Sequence, residues 1–132
     1  MSFVCPQFYE ETDRNRLIIE AGKAFTRNDL KKFGTYLSED ITFEFIGADQ
    51  VQGIDEVLEM IPHLNLAPVG ALNLQGLLSD EHYSSLWGFA RTTKNNLFAF
   101  SCICTFNPCD SEKVSKLTVF LIKISSTSIL FD

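Results

Sequence analysis

Leu37-Ser38-Glu39-Asp40-Ile41-Thr42-Phe43-Glu44-Phe45-Ile46-Gly47 is the stretch whose reading decides the fold. Ile41, Phe43 and Phe45 alternate with Thr42 and Glu44, the period of a strand with one buried face. Helical patterns flank it on both sides. Upstream, Asn28-Asp29 caps a short helix bearing Leu30, Phe33 and Leu37, because a short side-chain oxygen accepts an otherwise orphaned backbone amide. Gly34 weakens that helix by about 1 kcal/mol relative to Ala, and close helix packing is the reason to expect it there. Further upstream, Leu17, Ile18, Ala21, Ala24 and Phe25 recur at helical spacing after a cap at Thr12 or Asp13. Downstream, a polar loop from Gly47 to Gly53 leads to Ile54, Val57, Leu58 and Ile61, one face of a third helix that Pro62 ends or kinks. Helix, short helix, strand, glycine-bounded loop and helix in this order describe a bent sheet wrapped by helices around an apolar pocket.

After Pro68 the period changes. Residues 71–79, 82–92, 97–107 and 114–124 alternate, joined by polar turns at Ser79-Asp80-Glu81, Lys94-Asn95-Asn96 and Asn107-Pro108-Cys109-Asp110-Ser111. Such short connections require antiparallel pairing. Residues 128–131 can add a last short strand. The expected architecture is α+β: an N-terminal arm over residues 1–12, then one domain over 13–132 in which three N-terminal helices wrap a cone-shaped, curved antiparallel sheet.

Charge and cysteine usage narrow the function. The 132 residues carry a net charge of −6, and no Lys/Arg run is interleaved with aromatics, which speaks against a nucleic-acid or anionic-membrane partner. No basic-then-apolar leader opens the sequence, and no stretch of about 18 apolar residues suggests a membrane span. Cys102 and Cys104, two apart in a strand, have Cα atoms about 6.6 Å apart, near the upper limit for a disulfide. His63 and His82 have no ligand spacing to Cys5, Cys102, Cys104 or Cys109. Reduced cysteines, a cytoplasmic location, and no metal or cofactor are therefore expected.

Strand phase suggests which faces meet the helices. Large aromatic side chains each remove about 150–250 Å² from water, so the faces carrying Trp87, Phe89 and Arg91, and Phe98, Phe100, Cys102, Cys104 and Phe106, are expected inward with Phe43 and Phe45. Phe43, Phe45, Met60, Trp87, Phe89, Cys104 and Phe106 are then the expected pocket lining. Leu86, Ala90, Ile103, Phe120 and Ile122 make the other faces apolar too. A second copy of the chain is the simplest cover, giving a homodimer packed sheet to sheet.

The segment from Phe25 to Gly47, with Asn28-Asp29-Leu30 and the strand motif quoted above, followed by Gly53 to Ile61, resembles the nuclear transport factor 2-like superfamily. That group includes ketosteroid isomerases, SnoaL-type polyketide cyclases and limonene epoxide hydrolases, and one scaffold serves many chemistries. The resemblance implies a cone-shaped cavity. Ketosteroid isomerases use a carboxylate base late in the first strand and an oxyanion hole of a tyrosine and a protonated aspartate. Matched residue by residue, the base position is Phe45, the tyrosine position Ala21, and the second acid Cys104 or, one turn residue later, Thr105. None of the first three can serve those roles. Limonene epoxide hydrolases hold an arginine between two aspartates, and no two inward aspartates accompany Arg91.

Other polar candidates are few. His63, Arg91, Tyr36 and Asp40 are the residues from which a pocket acid or base could be drawn. Glu44 is out of phase with Phe43 and Phe45 and reads as solvent-facing; Asp40 reads as closing the turn before the strand. The leading expectation is a dimeric protein that binds a small apolar molecule in an aromatic pocket. The alternatives are an isomerase, cyclase or hydratase acting on a hydrophobic substrate, and a protein-interaction module whose cavity is filled by Phe side chains.

Overall fold

The computed structural model describes residues 2–48, 50–64 and 68–124; the strand expected at 128–131 lies outside them. In chain order the elements are β1 (Ser2–Val4), α1 (Asp13–Thr26), α2 (Leu30–Gly34), β2 (Leu37–Phe45), β3 (Gln50–Gln52), α3 (Ile54–Met60), a 3-10 turn (Ile61–His63), β4 (Val69–Ser79), β5 (Tyr83–Thr92), β6 (Leu97–Asn107) and β7 (Asp110–Ile124). The α+β architecture is the expected one, with three helices against one seven-stranded sheet of order β1-β4-β5-β6-β7-β2-β3.

Local chemistry explains the helix boundaries. The Thr12 hydroxyl accepts the Asn15 N–H and starts α1. Asn28 adopts φ 59°, a left-handed conformation that asparagine tolerates, and Asp29 then caps α2 by accepting the Lys32 N–H. A Cβ on Gly34 would come within 3.0 Å of the Leu58 side chain, so α2 and α3 meet there at glycine distance. Pro62 sits in the first turn of the 3-10 segment that ends α3.

Two details depart from expectation. Leu37 opens β2 instead of closing α2, because α2 stops at Gly34 and the Leu37–Asp40 backbone joins the sheet. The polar loop contains β3, which pairs antiparallel with β2 through Phe43 and Val51, and the N-terminal arm contains β1, which pairs with β4 through Phe3 and Leu72. The meander β4–β7 is antiparallel as its turns demand, but β1 with β4 and β2 with β7 are parallel, so the sheet is mixed. Register shifts interrupt β4–β5 between Leu74 and Gly76 and β6–β7 between Thr105 and Phe106. Such bulges add local bend and twist, curving the sheet around the helices.

Polar contacts fasten the start of α1 to one end of the sheet. Arg14 donates to the carbonyls of Asp80, Glu81 and Ser111, and its guanidinium lies 3.6 Å from the Phe106 ring centroid. Buried Asn15 donates to the Glu10 carbonyl and accepts from the Ser79 hydroxyl, which shares a further bond with buried Ser84. Both turns of that end are thereby tied to one helix.

Candidate functional site: an apolar cavity between α1 and the sheet

On α1, the side chains at i, i+3, i+4 and i+7 from Ile18 point to the sheet, and Ile18, Ala21, Gly22 and Phe25 form one wall of a cavity of about 120 Å³. Phe33, Tyr36, Leu37, Phe43 and Phe45 add the wall from α2 and β2, and Leu64 follows the 3-10 turn. The sheet contributes Leu72 of β4, Leu86 and Ala90 of β5, Phe100, Cys102 and Cys104 of β6, and Val114, Leu117 and Val119 of β7. Ring pairs stiffen two sides: Phe43 and Phe45 centroids are 5.1 Å apart, and Phe25 meets Phe33 edge-on at 5.4 Å.

The register accounts for the sheet wall. Leu86 pairs with Cys102 and Ala90 with Phe98 on β6, while Cys102 pairs with Val119 and Cys104 with Leu117 on β7. Directly opposed residues share a face, so Leu86, Gly88 and Ala90 look inward. Trp87, Phe89 and Arg91 occupy the opposite face of β5. The expected phase of β5 is thereby corrected: side-chain size suggested aromatics inward, but pairing with β6 fixes the small residues there. The indole of Trp87 instead covers its cross-strand partner Gly76, where an added Cβ would fall 1.9 Å from the ring.

The expected lining residues are thus divided. Phe43, Phe45 and Cys104 border the cavity. Trp87 and Phe89 do not, for the reason just given. Met60 packs against the core from α3 without reaching the cavity, and Phe106 lies on the inward face under Arg14 and does not border the cavity. Of the acid–base candidates, only Tyr36 lines it. His63 and Asp40 are exposed, and Arg91 is half-buried on the far side of the sheet. Glu44 is half-buried and faces Lys116 at 3.8 Å. Among the residues that sequence reasoning did not place at the cavity are the α1 stripe, Leu72, Leu86, Ala90, Leu117 and Val119; the stripe was readable as a helix face, but nothing local shows that small residues leave a space.

The walls expose almost no polar atom. Among the described residues, Tyr36, Cys102 and Cys104 are the only lining side chains with a polar or ionisable group. Burial pushes the Cys104 thiol up to about 12 and raises Cys102 further, with the neighbouring Cys104 adding to the effect. Both therefore stay neutral thiols, without the thiolate a nucleophile needs. The positions matched to the ketosteroid isomerase base, tyrosine and second acid, Phe45, Ala21 and Cys104, all border this cavity, so an isomerase-type site would lie here, and its chemical groups do not. Among the described residues, no group of three or more His, Cys, Asp and Glu side chains could hold a metal ion.

An open, bulged sheet with three helices over its concave face is the nuclear transport factor 2-like fold, and the resemblance read from the sequence holds at that level. A protein of that kind and of unknown function from Burkholderia xenovorans LB400 superposes with a TM-score of 0.71 at 11% identity, over 89% of this chain and 91% of that one. An epoxide hydrolase/cyclase-like enzyme of pyran ring formation in the polyether salinomycin gives 0.71 at 16%, over 86% and 93%. The Orange Carotenoid Protein of Anabaena (Nostoc) sp. PCC 7120, binding canthaxanthin, gives 0.69 at 14%, over 88% of this chain and 37% of that one. At these identities the likeness establishes the fold. No protein-family model matches the chain, and no curated protein matches it.

Proposed function

We propose that this chain binds a small apolar molecule in the cavity between α1 and the sheet, without acid–base chemistry on it. The observation that carries the reading is the lining: apart from the Tyr36 hydroxyl and two thiols held neutral, it is aromatic and aliphatic. A general acid or base must come within hydrogen-bond reach of its substrate, and of the four candidates Tyr36 borders the cavity while His63, Asp40 and Arg91 do not. A volume of about 120 Å³ suits one aromatic ring or a short branched chain; a comparable apolar hole of about 150 Å³ stays dry and takes up benzene. The Orange Carotenoid Protein, 37% of whose length this chain matches, binds canthaxanthin, and an apolar cargo for the present cavity is in keeping with that. The test is a titration of methyl-labelled protein with toluene. Resonances of Ala21, Leu72, Ala90, Leu117 and Val119 should shift together while those of Ile103 and Ile122 stay still. Shifts confined to the outer face, or none at all, would sink the reading.

The outer face of the sheet supports self-association. Opposite the cavity, the rows Leu78–Ser85–Ile103–Thr118, Gly76–Trp87–Ser101–Phe120 and Asn73–Phe89–Ala99–Ile122 run across four strands. Ile122 is 68%, Leu78 67% and Trp87 40% exposed, and the charges Arg91 and Lys116 stand only at the margins. Four strands by the length of Tyr83–Arg91 span roughly 500 Å² of planar surface, the order of one partner's share of a standard interface, about 800 Å². A second copy seated face to face satisfies this patch because it is uncharged and self-complementary. Phe120→Glu should convert a dimer to a monomer of 14.9 kDa in sedimentation, with the toluene response retained; a wild-type monomer would overturn the pairing. Four free cysteines suit a reducing, cytoplasmic location.

A further inference from the structure

The inward face of β6 and β7 continues past the cavity. Proceeding outward, its cross-strand pairs are Cys104–Leu117, Cys102–Val119, Phe100–Leu121 and Phe98–Lys123. The cavity ends at Phe100, and Asn96, Phe98, Leu121 and Lys123 line an open depression of about 410 Å³ just beyond it. Val119, in the cavity wall, and Lys123 are four residues apart on one strand face, about 13 Å. Among the described residues, neither the Lys123 ammonium nor the Asn96 side-chain amide has a hydrogen-bond or ion-pair partner.

Charge along the sequence points the same way. Residues 82–109 hold Arg91 and Lys94 but no Asp or Glu, and residues 113–124 hold Lys113, Lys116 and Lys123 and again no acid, in a chain whose net charge is −6. β6 itself carries no charge and β7 has Asp110 and Glu112 at its far end, so Lys123 is the charged residue among the four that line the depression. An exposed cation in line with an apolar cavity along one strand face, with Phe100 and Leu121 between them, offers each end of an amphiphile its own environment. One lysine and one planar amide balance one negative charge, which favours a monoanion over a phosphate.

We propose that the ligand is an amphiphilic carboxylate, its ring or chain in the cavity and its carboxylate at Lys123 and Asn96. This rests on the ligand-binding reading above and names the class of molecule for that same site. Lys123 is then a specificity-determining residue and has no part in a reaction.

The experiment compares decanoate with decan-1-ol at low ionic strength, by calorimetry, on the wild-type chain, Lys123→Gln and Lys116→Gln. Lys116 is on the same strand but the opposite face, paired with Thr105. Decanoate should bind wild type about fivefold more tightly than the alcohol, the scale of an exposed ion pair. Lys123→Gln should erase that preference, Lys116→Gln should keep it, and added salt should weaken it. Equal binding of acid and alcohol to wild type, or a preference that survives in Lys123→Gln, overturns the anion subsite while leaving the apolar cavity in place. Binding of neither overturns the cavity reading as well.

Discussion

Ala90→Val is the substitution that probes the cavity most sharply. Ala90 is fully buried on the inward face of β5, and its methyl group faces the open volume. An unfilled space of about 120 Å³ costs about 3 kcal/mol at roughly 24 cal/mol per Å³. Valine adds two carbons there, each worth about 0.8 kcal/mol on burial, and its β-branch suits a strand. The variant should therefore gain about 1.5 kcal/mol, half of the cavity's cost. For a domain of this size that is a rise of about 6 °C in Tm. The same methyls occupy the ligand's place, so toluene binding should fall at least tenfold, by about 1.4 kcal/mol or more. Urea denaturation and the methyl titration, run on both proteins, read the two effects. A well-packed site would answer in the opposite way: overpacking costs about 1–3 kcal/mol. A lower Tm with unchanged toluene binding would refute the argument that a void lies beside Ala90.

Four further outcomes follow from the same geometry. Gly88→Ala should cost about 3 kcal/mol and Gly76→Ala about 1 kcal/mol, because the new Cβ would lie 2.1 Å from the Asn73 backbone oxygen in one case and against a Trp87 ring free to shift in the other; the order is read in chemical denaturation. In native protein at pH 8, a thiol reagent should react readily with exposed Cys109 and leave Cys102 and Cys104 untouched. Because burial raises the Cys104 pKa from 9.0 to about 12, the neutral thiol's contribution is intact below pH 9 and is lost as pH rises from 9 towards 12, so alkaline unfolding should shift to higher pH in Cys104→Ala. Arg14→Met should remove three carbonyl contacts and the stack on Phe106, costing about 2 kcal/mol, with toluene affinity within a factor of two of wild type.

The parts of this structure that sequence reasoning reached are those set by local chemistry. Thr12 and Asp29 cap helices because their oxygens find backbone amides a few residues on, and the four-strand meander follows from alternation and short polar turns. What local pattern could not supply was the phase of β5. Both of its faces are apolar, so alternation is present but unsigned, and aromatic size pointed the wrong way. Only the pairing of Leu86 with Cys102 assigns the face. The cavity is bordered on β5 by Leu86 and the small Ala90, whereas Trp87 serves the outer surface by covering Gly76. β1 and β3, three residues each, are too short to carry a period and are defined by the partners they meet.

The most direct test of the apolar-cavity reading is a crystal of the protein held under xenon pressure, since xenon enters dry apolar holes without needing a hydrogen-bond partner. A xenon atom among Ala21, Phe45, Ala90 and Cys104 is the predicted result. Xenon found only on the outer sheet face, with nothing between those four side chains, would contradict the account.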